Sequence, residues 1–117
     1  MKVNDPANMM NVNVVELSES NFAREVLDAP TPVLVEFWAG WSETSKALTP
    51  VLESVADDAV PPIKVGRVNI EHQESLAETY GVRCVPTLLI FNQGGLQDQM
   101  VGRVTEQEVR EKLESLQ

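Results

Sequence analysis

Val33-Leu34-Val35-Glu36-Phe37-Trp38-Ala39-Gly40-Trp41-Ser42-Glu43-Thr44-Ser45-Lys46 passes from an apolar run into a polar one across a single glycine. Residues 33–38 are apolar on both alternations except at Glu36, the pattern of a central strand covered on both faces. A helix is expected from about Thr44 to Ala56, because Leu48, Val51, Leu52 and Val55 fall at i, i+3, i+4 and i+7 and form one stripe. Pro50 lies inside that helix past its first turn and is expected to kink it.

Working outward, Val12, Val14, Val15 and Leu17 suggest a short first strand. A helix over roughly Asn21 to Asp28 would put Phe22, Val26 and Leu27 on one face, with Ser18 or Ser20 as its cap and Pro30-Thr31-Pro32 as its stop. On the other side, Ile63, Val65, Val68 and Ile70 suggest an inner strand. Gln73 to Tyr80 reads as a short helix closed by Gly81. Thr87-Leu88-Leu89-Ile90-Phe91 is a buried strand, Gln93-Gly94-Gly95 a hairpin turn, and Leu96 to Val101 the return strand. Glu106 to Leu116 completes the chain as an amphipathic helix. Val109, Leu113 and Leu116 would face inward, with Glu108 and Lys112 as an i, i+4 pair. The order β-α-β-α-β-α-β-β-α is that of an α/β fold, a mixed sheet with helices on both faces. Residues 1–11 are polar and expected to form a flexible N-terminal arm, leaving 12–117 as a single domain.

At 117 residues the chain is one domain with room for a real core. Eighteen acidic residues against nine basic ones give a net charge of −9. That disfavours nucleic acids and anionic membrane surfaces, which draw on clustered Lys and Arg. No apolar run has signal-peptide or membrane-span length, so a cytoplasmic protein is expected. Cys84 is the sole cysteine. No internal disulfide can form, a metal site of several thiolates is excluded, and neither a metal nor a cofactor is expected.

Glu36 is a carboxylate in a buried strand, a costly placement unless the group is neutral, paired or hydrated. It is either a buried proton donor and acceptor beneath a site, with its pKa raised by desolvation, or a group near the strand end that reaches water. Trp38 and Trp41 flank Ala39-Gly40 in a strand-to-helix loop, which suggests a surface platform. The helix start carries Ser42 and Ser45. A serine nucleophile needs an adjacent base. The lone His72 lies in another loop, so helix capping is the better reading of these hydroxyls. Cys84 is either a small buried hydrophobe or a thiol free to pair between molecules.

Val35-Glu36-Phe37-Trp38-Ala39-Gly40-Trp41 and Tyr80-Gly81-Val82-Arg83-Cys84-Val85-Pro86-Thr87, with the proline inside the helix and the glycine hairpin, resemble thioredoxin over nearly the whole chain after residue 11. The resemblance implies the thioredoxin fold, a cis-proline at Pro86, and family glycines at Gly94 and Gly102. It implies a buried acid at Glu36 with Arg67 where the family has a lysine. It also implies a groove lined by Trp41, Ile70, Val85, Pro86, Val101 and Gly102, beside Cys84. An extended peptide would dock there by pairing its backbone around Val85. The family motif Trp-Cys-Gly-Pro-Cys-Lys corresponds to Trp41-Ser42-Glu43-Thr44-Ser45-Lys46, so Ser42 and Ser45 stand at the nucleophilic and resolving positions. Oxygen replaces sulfur in neither step, because no stable alkoxide or exchangeable O–S bond forms near neutral pH.

Three functions follow as expectations. The first is a protein of the cell redox homeostasis family that has lost exchange chemistry and binds proteins or peptides in its groove. Leu48-Thr49-Pro50-Val51-Leu52-Glu53-Ser54 also resembles the thioredoxin-like domain of a bacterial chaperone family. The second is a Cys-to-Ser variant of an active protein-disulfide reductase, whose cysteine-containing form would engage a thioredoxin reductase; Glu43-Thr44, far from Gly-Pro, argues against it. The third, a one-thiol protein acting through Cys84, is the weakest, since a lone thiol cannot resolve its own mixed disulfide. A monomer is expected, with dimers available through Cys84.

Overall fold

The computed structural model describes residues 14–59 and 63–116. The expected N-terminal arm and the strand position Val12 lie outside the described residues. Five strands, β1 (Val14–Glu16), β2 (Val33–Trp38), β3 (Lys64–Asn69), β4 (Thr87–Asn92) and β5 (Gly95–Val101), form one sheet in the order β1-β3-β2-β4-β5. The helices are α1 (Glu43–Asp58), α2 (Glu74–Thr79) and α3 (Glu106–Glu114). β3 pairs parallel with β1 and β2, whereas β4 pairs antiparallel with β2 and β5.

β2 is central, and its alternation divides the core. Val33, Val35 and Phe37 face Phe22, Val26, Leu76, Leu89 and Phe91. Leu34 faces the opposite layer, Leu48, Leu52 and Val55 of α1 with Val109 of α3, Leu88 and Ile90. Each such side chain contributes roughly 1.5–3 kcal/mol when fully buried. Because strand side chains alternate, Glu36 lies on the Leu34 face, beneath α1. The β4–β5 hairpin turns at Gln93 (φ 53°) and Gly94 (φ 85°), both in the left-handed region that a two-residue primed turn requires.

Three local expectations are corrected. The first helix is a single π-helical turn, Ala23–Leu27, closed by the Asp28 N–H donating to the Ala23 carbonyl at 2.9 Å. This wider turn carries Leu27 off the Phe22–Val26 face, leaving it 37% exposed. Neither Ser18 nor Ser20 caps it; their hydroxyls bond each other at 2.9 Å. Asn21 organises the entry instead, accepting from the Ser18 N–H at 2.8 Å and donating to the Glu16 carbonyl at 3.0 Å. In α3, Glu108 does not pair with Lys112. Its carboxylate accepts from the Thr105 N–H at 2.8 Å while the Thr105 hydroxyl accepts from the Glu108 N–H at 3.1 Å, a capping box. Lys112 reaches Asp98 of β5 at 3.0 Å.

Gly66 sits in β3 between β1 and β2. A Cβ there would stand 2.4 Å from Leu17 Cδ1 and 3.0 Å from Leu17 Cγ, against a side chain that is itself buried. Gly66→Ala is expected to cost about 1–3 kcal/mol through overpacking. Urea unfolding should show this as a lower midpoint with an unchanged slope.

Candidate functional site

The site begins where β2 runs into α1. Ser42 is the N-cap of α1, with extended backbone (φ −105°, ψ 109°), and its Oγ accepts from the Ser45 N–H at 3.1 Å. This satisfies one of the free donors that every helix start leaves. Ser45 is wholly buried. Its Oγ lies 3.1 Å from the Ala39 carbonyl and 3.0 Å from the Ser42 carbonyl, and it accepts from the Ala39 N–H at 3.3 Å. Both hydroxyls therefore serve the backbone of the loop. Among the described residues no hydrogen bond joins His72 to Ser42; the His72 N–H donates to the Asn69 carbonyl.

A second group gathers around Pro86. The Val85–Pro86 bond is cis, Pro86 is buried, and its carbonyl accepts from the Gly102 N–H at 2.9 Å. Val101 stands opposite Thr87 in the hairpin and is 52% exposed. Val85 is half-buried and Cys84 exposed, its carbonyl accepting from the Thr87 hydroxyl at 2.8 Å. Ile70, also half-buried, is tied to the end of β2 by its N–H donating to the Trp38 carbonyl at 3.0 Å. Trp41 projects from the β2–α1 loop, 67% exposed.

An open cleft of about 360 Å³ adjoins Pro86. Its walls are Leu48 and Val51 of α1 and Arg103 and Val104 of the β5–α3 loop, with Glu43 and Thr44 at the helix start. Of the residues that the sequence assigned to a groove, Pro86 alone lines this cleft.

Glu36 lies beneath α1 with no solvent exposure. The Thr49 hydroxyl donates to its carboxylate, 2.9 Å from Oε1 and 3.1 Å from Oε2. Arg67 Nε lies 3.4 Å from Oε1, within ion-pair distance but not aligned as a hydrogen bond. The same guanidinium pairs with Glu16 at 3.0 Å and stacks 4.1 Å over the Trp38 ring. Desolvation dominates, so the Glu36 pKa is pushed up to about 7, with Thr49 and Arg67 opposing the rise.

Three residues here were not singled out from the sequence. Thr49 is four residues after Ser45 and three before Leu52, on the buried stripe, and a polar residue on that stripe was the available signal. Glu71 accepts from the Gly40 N–H at 2.9 Å and so fastens the Trp41 loop to the segment after β3. Arg103 on the cleft wall carries no periodic signature, and of Arg67 and Trp38, both named from the sequence, only their stacking was not foreseen.

A family model described as Thioredoxin matches residues 13–115. The chain belongs to the thioredoxin family. It is 41% identical over 93 residues to thioredoxin C-2 of Corynebacterium nephridii, an alignment spanning 80% of this chain and 86% of that protein. It is 37% identical over 101 residues to the thioredoxin of Buchnera aphidicola from Acyrthosiphon pisum, covering 86% and 94%. Thioredoxin 1 of a Nostoc species is 38% identical over 99 residues, covering 85% and 92%. No helix among the described residues is long and apolar enough to cross a membrane.

The raised pKa of Glu36 makes stability depend on pH. Between 4.5 and about 7 the folded chain holds a proton that the unfolded chain has released. Stability from this group is therefore complete below 4.5, falls as pH rises through 7, and is flat beyond. The loss is on the order of 3 kcal/mol. Glu36→Gln, which resembles the protonated acid, should match the parent near pH 4 and exceed it at pH 8 by a similar amount. Chemical unfolding across that range checks both limbs, and parallel profiles for the two proteins would refute the buried titration.

Proposed function

We propose that this thioredoxin-family chain performs no dithiol–disulfide exchange and holds extended protein or peptide segments in the groove beside Pro86. The observation that carries the reading is the state of positions 42 and 45. Ser42 caps α1, and the hydroxyl of buried Ser45 is engaged by the main chain of Ala39 and Ser42. Exchange needs one thiolate to attack and a second thiol to resolve the mixed disulfide. Here both positions carry oxygen, and Cys84, the sole thiol, has no second thiol in the chain to resolve what it forms. The elements of a peptide groove remain: exposed Trp41 and Val101, Gly102 bonded to Pro86, and the adjoining cleft. A segment docking there would add its backbone along Val85, as strand addition does. The proposed setting is the cytoplasm, with the chain mainly monomeric.

A second reading is favoured by Glu36. A buried acid that titrates near neutrality beneath α1 is suited to managing a proton at a thiol, and this chain has no thiol there. In that reading the chain is the Cys-to-Ser form of a working protein-disulfide reductase, and its cysteine-containing form would be served by a thioredoxin reductase.

Reduction of insulin disulfides by dithiothreitol tests the chemistry. The parent chain is expected to leave the background rate unchanged, and Ser42→Cys/Ser45→Cys to raise it well above background. Parent activity equal to that of the double variant would overturn the claim of redox inactivity. A well-folded double variant with no exchange would overturn the retained scaffold. Trp41→Ala is expected to weaken peptide binding about tenfold, the usual scale for an aromatic anchor.

A further inference from the structure

The cations of this chain are placed unevenly. Nine basic residues face eighteen acidic ones, and eight of the nine are described. Arg24, Lys46, Lys64, Arg67, Arg110 and Lys112 each have a carboxylate within 4 Å. Among the described residues only Arg83 and Arg103 have no acidic partner. Both are exposed, and both stand in the loops that border Pro86. Arg83 lies three residues before it, and Arg103 follows Gly102, whose N–H donates to the Pro86 carbonyl. A surface with a twofold excess of carboxylates offers partners readily, so an unpaired guanidinium on the cleft wall, Arg103, and a second in the loop before Pro86, Arg83, are cations left available on the two chain segments that meet at Pro86.

The one carboxylate among the lining residues is accounted for. Glu43 lines the cleft, but Lys46 neutralises it at 3.1 Å. The cleft also opens at the start of the sixteen-residue α1, where the helix dipole adds partial positive charge. Its floor is apolar, from Leu48, Val51, Val104 and Pro86. The net charge of −9 does not override this arrangement, because charges beyond about 8 Å are largely screened at physiological salt.

We propose that the cleft beside Pro86 receives an acidic extended segment of a partner protein, with one apolar side chain on Leu48 and Val51 and flanking carboxylates on Arg103 and Arg83. This rests on the groove reading above and adds the chemistry of the occupant. Guanidinium groups suit the task because their forked donors match a carboxylate in pairs.

The test uses two blocked peptides, acetyl-Ser-Glu-Val-Leu-Val-Glu-Ser-amide and its counterpart with Gln at both Glu positions. Each is titrated into the isotopically labelled full chain and followed by NMR, which reads affinities into the millimolar range. The acidic peptide is expected to bind about five- to tenfold more tightly at low salt, the scale of two exposed ion pairs. The preference, read as the ratio of the two affinities in each protein, should shrink in high salt and fall below about twofold in Arg83→Gln/Arg103→Gln. Equal affinities for the two peptides would overturn the acidic preference and leave the groove reading standing. A preference that survives the double substitution would overturn the role of these two arginines. If neither peptide shifts the amides of Val85, Gly102 and Val104, the groove reading falls, and this inference with it.

Discussion

Glu36 occupies the middle of the central strand, and the surroundings of that one carboxyl constrain much of the domain. Burying its charged form without compensation costs several kcal/mol, so the group must be neutral or surrounded by donors. The chain does some of each. Thr49 donates from the helix above, and Arg67, opposite Glu36 on β3, lies within ion-pair distance. Arg67 is held in turn by Glu16 on the neighbouring strand and by the face of Trp38. One buried acid thus fixes the relation of α1, β1 and β3 to β2. It lies on the same face as Leu34, so it occupies a place in the α1 layer that an aliphatic side chain would fill without electrostatic consequence.

The sheet was legible in the sequence because its two central strands, β2 and β4, are apolar on both alternations, a pattern that few other structures require. Val33–Trp38, broken only by Glu36, and Leu88–Phe91 carry that pattern, and they became the adjacent strands β2 and β4. The first helix was less legible. Its apolar positions fit an α-helical face, but Asn21 bonded both to the Ser18 N–H and to the Glu16 carbonyl, and the segment closed as one π turn. A side chain that satisfies backbone groups on two sides competes with regular capping, and spacing alone does not reveal which wins. The Glu108–Lys112 pair failed for a similar reason. Glu108 had two backbone-linked bonds available at the helix start, and Lys112 had a carboxylate across the layer.

The site divides in the same way. Ser42, Ser45, Glu36 and Pro86 were identifiable because each stood against its local pattern or matched the family motif. Thr49 and Arg103 were not, since their roles depend on what lies opposite them in space. Thr49 reads as an ordinary helical residue until Glu36 is found beneath it. Arg103 reads as a loop cation until it is found on the cleft wall, where Glu43, the acid of that lining, is paired with Lys46 instead.

The hydroxyls at 42 and 45 explain how the start of α1 keeps its geometry with no thiol at either position. Serine is among the preferred N-caps, and a hydroxyl is a stronger hydrogen-bonding group than a thiol. Ser42 therefore supports the first turn of α1 directly, and Ser45 joins that turn to Ala39 at the end of the β2–α1 loop. Sulfur at these positions would make weaker bonds to the same groups, so serine holds the loop that carries Trp41 more tightly than cysteine would. Glu71 holds the other side of that loop through Gly40. The loop that carries Trp41 is thus fixed from below and from the side by hydrogen bonds in which no thiol takes part.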